Sequence, residues 1–361
     1  MNTLDRHNTG AEGTRVFVAE GAVDAAPGLL RVGTRGSALA VAQTTTVAEI
    51  MAAATGLDVA LVIVTTQGDT SRAPLSQLGG TGVFVSTLRD ALLAGECDFA
   101  VHSLKDLPTG ACPGIGIGAI PERADARDAL CARDGLTLDA LPSGARVGTG
   151  SPRRAAQLLA RRPDLDVRDL RGNVDTRLGR VGVDLDAVVL ACAGLDRLGR
   201  SESITERFPL DEAPAAPGQG ALAIEVRADD ATRSPYAEAL AALDHAESRA
   251  SALAERAVLA TLEAGCGAPV GATAHVGEGR LVLRAEVASL DGTQRLVTVE
   301  ELPWAAGDPE HAQTPQRLGR AVAQRLFEMG AAMIAPLSGT APGADRPGGS
   351  RPDSSLPGAP R

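Results

Sequence analysis

Two short segments carry the side chains best suited to chemistry. HSLKDLP at 102–108 sets Lys105 beside Asp106, after a short apolar run and before a proline. That places an ammonium and a carboxylate at the C-terminal end of a strand, where α/β folds bind ligands. A carboxylate among cations stays ionised, and it can stabilise positive charge on a ring nitrogen or relay a proton. Simple pairing of the two side chains, or capping of a turn, is the alternative. Lys105 is also the only lysine among 35 basic residues. An ammonium is a compact charge with a tunable pKa, whereas guanidinium is always charged and grips carboxylates bidentately; a leftover surface lysine is the plainer reading. LEAGCGAPVG at 262–271 sets Cys266 between two glycines after a long helical pattern, which puts its sulfur on an exposed loop. His7, His102, His245, His275 and His311 are scattered, so this cysteine reads as an attachment point rather than a His-assisted nucleophile. No metal site is expected.

A third constellation is basic. Residues 146–180 hold nine Arg against four Asp and no Glu, a local excess of five positive charges inside a chain of net charge −10. Several of these arginines lie in VGTGSPRR and LRGNVDTR, where small residues let backbone N–H groups face an anion as well. The pattern suits carboxylates or phosphates. Arg161, Arg162, Arg168 and Arg180 could equally be a solvated face. Neither GxxxxGK[ST] nor a GxGxxG opening a helix is present, and GIGIGAIP at 114–121 continues as a strand, so no nucleotide site is expected.

The elements that must position these groups alternate between short apolar runs and helical patterns, the signature of βαβ units. Strands are expected at Leu30–Val32, Val59–Val64, Phe99–Val101, Ile115–Ile120, Arg146–Gly148, Val167–Leu170, Ala187–Leu190 and Ala221–Val226. A helix is expected from a Ser37 cap to a terminal Gly, and another from Ser151 with Pro152 at its first position. From about residue 240 one Ala/Glu-rich helix is expected, then hairpins at Glu278-Gly279 and Asp291-Gly292 and a last helix near Gln316–Met333. The expected division is a disordered tail 1–28, an α/β domain 29–121 plus 217–239, a second α/β domain 122–216, an α+β domain 240–337 and a tail 338–361.

The acidic balance argues against nucleic acid or a membrane surface as partner. One Tyr and one Trp leave little for base stacking. Five cysteines without a CxxC pair, no leader pattern and no long apolar run point to a cytoplasmic chain. Nothing in the sequence asks for more than a monomer.

Taken in order, RVGTRGSALA (31–40), HSLKDLP, VGTGSPRR (147–154), LRGNVDTRL (170–178), APGQGALAIE (216–225) and LEAGCGAPVG resemble the motifs of the porphobilinogen deaminase family from about Leu30 to about Ala335. The resemblance implies two periplasmic-binding-protein-like α/β domains around a cleft plus a small C-terminal α+β domain. It implies a transferase of tetrapyrrole (heme) biosynthesis that joins four porphobilinogen molecules head to tail into the linear hydroxymethylbilane, releasing ammonia. It also implies a dipyrromethane cofactor joined by a thioether to Cys266, with Asp106 as the catalytic carboxylate. Arg35, Ser37, Lys105, Thr149, Ser151, Arg153, Arg154, Arg171, Arg177 and Arg197 would bind acetate and propionate groups, and Gln219 would line the hinge or cleft. The chain departs from the family pattern at Thr81, Gly150, Pro152, Thr261 and Gly267. Two other readings stay open on the residues alone: a solute-binding protein with an Arg-lined cleft, and a Schiff-base enzyme using Lys105.

Overall fold

The computed structural model describes residues 14–64, 82–265 and 267–338. Cys266, Thr81 and the outer parts of both expected tails, 1–13 and 339–361, lie outside the described residues.

Strands β1 (Val16–Glu20), β2 (Leu29–Thr34), β3 (Asp58–Ile63), β4 (Phe99–Ser103) and β5 (Ile115–Ala119) come first, with helices α1 (Ala38–Thr55) and α2 (Gly82–Leu93) between them. The chain then crosses over into β6 (Asp128–Ala132), β7 (Arg146–Gly148), β8 (Asp166–Arg168), β9 (Ala187–Ala191) and β10 (Glu206–Arg207). This second set carries helices α3 (Pro152–Arg161), α4 (Val174–Leu178) and α5 (Cys192–Arg197). It returns as β11 (Leu222–Arg227) and α6 (Tyr236–Leu243). Helix α7 (Ala246–Leu262), strands β12 (Val270–Gly277), β13 (Arg280–Ala288) and β14 (Arg295–Pro303), and helices α8 (Thr314–Glu328) and α9 (Ala331–Ile334) complete it.

The first lobe is a six-stranded sheet in the order β1-β3-β2-β4-β11-β5, and the second a five-stranded sheet in the order β10-β6-β9-β7-β8. In each, a parallel set is joined by one antiparallel strand that has just arrived from the other lobe: β11 against β4 in the first, β6 against β9 in the second. Two crossings therefore link the lobes, and they touch. Ala124 donates its N–H to the Gly220 carbonyl at 3.3 Å. Gly220 has φ +85°, and a Cβ there would lie 2.6 Å from the Ala124 oxygen, so the contact requires glycine.

Apolar strand residues build each core. Leu30, Val32, Leu61, Phe99 and Ile224 pack on Val47 and Met51 of α1 in lobe 1, and Leu130, Val147 and Val189 pack on Leu158 of α3 in lobe 2. The α1 pattern closes as its ends predict: Ser37 Oγ accepts from the Ala40 N–H at 3.3 Å, and Gly56 ends the helix at φ 70°. In the C-terminal domain β12, β13 and β14 form an antiparallel sheet, and α7 and α8 cover one face through Val258, Leu262, Leu318 and Val322 against Leu281 and Leu283.

Two expectations need correction. Part of the segment 1–28 is not a tail: Val16–Glu20 is an edge strand lying parallel to β3. The single Ala/Glu-rich helix is two. Asp244 Oδ1 accepts the Ile120 N–H at 2.8 Å and His245 caps α7, so the chain breaks there and α6 packs on lobe 1 through Ala239, Leu240 and Leu243.

Candidate active site

Strand β4 ends at Ser103, whose hydroxyl exchanges hydrogen bonds with Gln43 of α1. The chain then makes one tight turn over Leu104–Asp106, closed by the Leu107 N–H donating to the Leu104 carbonyl at 3.1 Å. Leu104 is fully buried and anchors the turn, so its neighbours Lys105 and Asp106 project away from the core. Four further contacts hold it. The Leu104 N–H donates to the Ala221 carbonyl at 3.0 Å. Arg256 of α7 donates to the carbonyls of Leu107 (2.9 Å) and Pro108 (2.7 Å), with a longer contact to Leu104 (3.4 Å). Burial of that guanidinium lowers its pKa, Glu225 opposing the shift. Below, Glu225 of β11 pairs with Arg89 at 2.7 Å and lies 3.2 Å from His102 Nε2. Burial alone would raise the Glu225 carboxyl, but His102 and Arg89 outweigh it and hold it at about 2.

Lobe 2 presents the opposing wall. Thr149 is buried after β7 and bonds backbone to backbone with Arg168, and its hydroxyl accepts the Ser151 N–H at 3.3 Å. Ser151 caps α3 through the Arg154 N–H, and Pro152 occupies the first helical position, where no N–H is needed. Gly150 has a clear physical reason: a Cβ would stand 2.6 Å from the Leu170 carbonyl, so glycine lets the two motif turns 149–151 and 170–173 meet.

Arg153 and Arg154 are buried and each sits 2.7 Å from an oxygen of Asp128. Burial would raise the Asp128 carboxyl; the two guanidiniums reverse that and hold it well below the usual carboxylate range. Gln219 joins the knot, donating to Asp128 at 2.9 Å and to the Ala126 carbonyl at 2.7 Å while accepting from Arg154 at 3.2 Å. Part of the Arg154 donor fork is thus committed to holding the lobe together. The sequence reading missed Asp128, Arg256 and Glu225. Of these, only Asp128 left a signal, an acidic residue opening the apolar run DALCA.

Lys105 is open to solvent, but that solvent is in the space between the lobes. Desolvation there lowers its ammonium to about 8, with Asp106 and Asp128 pulling upward and Arg154 and Arg153 pushing downward. The couplings tie Lys105 on lobe 1 to Arg153, Arg154 and Asp128 on lobe 2. Arg177 donates to the Gly172 carbonyl at 2.7 Å, and Arg197 to the Gly220 carbonyl at 2.9 Å. Both guanidiniums are lowered by burial, Arg177 also by Arg154 and Arg171, and neither has a carboxylate within ion-pair distance among the described residues. Arg171 is exposed, 3.6 Å from Asp169. Arg35 and Ser37 follow β2, which neighbours β4, so they stand on the same sheet edge as the Lys105-Asp106 turn. Cys266, the attachment residue expected from the sequence, lies outside the described residues.

A two-lobed α/β scaffold, crossed twice, that sets the Lys105-Asp106 turn of one lobe opposite the arginines of the other has the charge pattern of an enzyme for substrates rich in carboxylates. Residues 30–234 match the model described as porphobilinogen deaminase, dipyromethane cofactor binding domain, and residues 250–328 match the porphobilinogen deaminase C-terminal domain. A porphobilinogen deaminase of Leifsonia xyli subsp. xyli is 58% identical over 327 residues, covering 90% of this chain and 99% of that protein. One from Thermobifida fusca is 56% identical, covering 84% and 95%. The chain belongs to the porphobilinogen deaminase family, transferases of tetrapyrrole biosynthesis that act on porphobilinogen with a dipyrromethane cofactor. Among solved structures, immunogenic lipoprotein A of Vibrio vulnificus is similar at a TM-score of 0.37 and 12% identity, covering 59% of this chain and 94% of that one.

Proposed function

We propose that this chain performs the family's reaction with Asp106 as the catalytic carboxylate and Cys266 as the attachment point of the dipyrromethane, joining four porphobilinogen molecules into hydroxymethylbilane. The observation that carries the reading is the crowding of Lys105, Arg153, Arg154, Arg171 and Arg177 around the cleft beside Asp106, with Arg177 and Arg197 partly desolvated and, among the described residues, without carboxylate partners. Such guanidiniums suit the cofactor, whose two linked pyrroles bring four carboxylates; charge-assisted bonds of this kind are worth roughly 1.5–3 kcal/mol each. When bound, the dipyrromethane would supply the free pyrrole carbon to which the first unit attaches, each later unit joining the terminal ring of the chain so extended.

The protein's own groups do the rest. Arg35, Ser37, Lys105, Thr149, Ser151, Arg171, Arg177 and Arg197, with the donors of Arg153 and Arg154 that Asp128 leaves open, hold acetate and propionate groups and fix each ring. Asp106 accepts the substrate's pyrrole N–H, stabilising positive charge there as the aminomethyl C–N bond breaks. It then takes up the ring proton displaced when the new C–C bond forms, and ammonia carries away the amine nitrogen. Gln219 lies in the second crossing, where it ties lobe 2 to the hinge. The proposed domains are lobe 1 (29–121 plus 217–239, extended by β1 and the rest of α6), lobe 2 (122–216) and a cofactor-bearing domain (α7 to 337).

We further propose a cytoplasmic monomer that binds neither nucleic acid nor membrane. The support is the acidic charge, the free cysteines Cys97, Cys112, Cys131 and Cys192, and the lack, among the described residues, of a helix long and apolar enough to cross a membrane. The test of the catalytic assignment is Asp106→Asn assayed for ammonia release from porphobilinogen. We expect kcat to fall by about 10²–10⁴ with little change in KM; unchanged kcat would move the proton transfer to another group.

A further inference from the structure

A second site emerges from the face of the C-terminal sheet that α7 and α8 leave uncovered. On β13, Leu281, Leu283 and Ala285 point to those helices, so Arg284 and Glu286 point the other way, toward lobe 2. That face is docked: Thr273, register partner of Arg284, accepts the Ala215 N–H at 3.0 Å, and Glu286 pairs with Arg295 and accepts from Gln157 of α3 at 3.3 Å. Between these contacts lies a cavity of about 520 Å³, with Leu138, Leu158, Phe208 and Val297 among its apolar walls. Arg284 also lines it. Its Nε is buried, and the side chain makes no hydrogen bond or ion pair among the described residues. Every other cation on the wall has a carboxylate: Asp128 for Arg154, Asp139 for Arg161, Glu286 for Arg295.

We propose that this cavity binds a small monocarboxylate with an apolar body, its carboxylate on the Arg284 fork. A buried guanidinium nitrogen without a partner is costly, and a carboxylate matches the planar donors of the group. The volume falls within the range of small-molecule pockets, and the apolar walls suit a hydrocarbon or aryl body. Asp211 and Glu212 are exposed lining residues, so a second negative charge on the ligand is repelled. That disfavours phosphate monoesters and dicarboxylates, porphobilinogen included, although the cavity shares Asp128 and Arg154 with the wall that faces Lys105.

The test is calorimetric titration of the cofactor-loaded enzyme with 4-phenylbutyrate and, separately, with its neutral amide. The parent is expected to bind one equivalent of the acid at least tenfold more tightly than the amide, with saturating porphobilinogen leaving that binding in place. Arg284→Gln is expected to keep its basal turnover and to bind acid and amide alike. Equal or absent binding of acid and amide by the parent, displacement by porphobilinogen, or acid binding undiminished in Arg284→Gln would each overturn the proposal. The acid–amide comparison on the parent decides even where the variant does not fold.

Discussion

Lys105 is the sole ammonium among the side chains of a guanidinium-rich chain, and its pKa near 8 puts its charge within reach of ordinary pH. Its positive form predominates below about pH 8 and is lost as pH rises through that value, so its grip on a carboxylate weakens on the alkaline side. KM for porphobilinogen is expected to climb above pH 8 in the parent and to stay flatter in Lys105→Arg, because guanidinium keeps its charge; superimposable KM profiles would refute the role. Asp128 acts differently. It is 1% exposed and neutralises two buried arginines, so Asp128→Asn leaves both uncompensated. The expected loss is about 3–5 kcal/mol of unfolding free energy, read from urea titration. The sequence showed the arginines as anion readers but not this tie, because Asp128 meets them only through the adjacency of β6 and α3, 25 or more residues away along the chain.

At the scale of elements, the turn carrying Asp106 is fixed from outside its own lobe. Arg256 comes from α7, and its hydrogen bonds to Leu107 and Pro108 join the C-terminal domain to the turn that carries Asp106. Arg256→Gln should lower kcat by about tenfold or more while KM changes little, since the positions of Lys105 and Asp106 shift without loss of the anion-binding arginines. A KM effect alone would reassign Arg256 to substrate binding. The local elements were legible where their signals are local: the Ser37 and Ser151 caps, the Glu278-Gly279 turn, and the strand that ends at HSLKDLP. Elements set by tertiary contact were not. Val16–Glu20 is only five residues in a polar, Gly/Ala-rich stretch, and it becomes a strand by lying along β3. Asp244 and His245 read as helix, yet the hydrogen bond from Ile120 to Asp244 breaks it.

Across the whole molecule, the three domains meet at a buried carboxylate. Glu255 of α7, inaccessible to solvent, accepts from Arg123 in the first crossing (2.6 Å), from the Gly218 N–H in the second (2.7 Å) and from the Ala274 N–H of its own sheet (2.7 Å). The lobes, their crossings and the C-terminal domain are thus tied at one point, and the cleft beside Asp106 opens between parts that share this knot. The α/β class was legible because each lobe is built from local βα units, while the two-lobe plan followed from the motifs that resemble the family. The return of 217–239 to the first domain was expected, but the strand orders and the antiparallel placing of β6 and β11 were not, since strand order is a long-range property. The family reaction requires a covalent primer, and this chain's proposed anchor is Cys266. Intact mass under denaturing conditions, parent beside Cys266→Ser, tests this most directly. The parent is expected to be heavier than its sequence by two linked pyrrole units and the variant to match its sequence mass. A parent that stays at its sequence mass even after incubation with porphobilinogen, or a variant that carries the same addition, would contradict it.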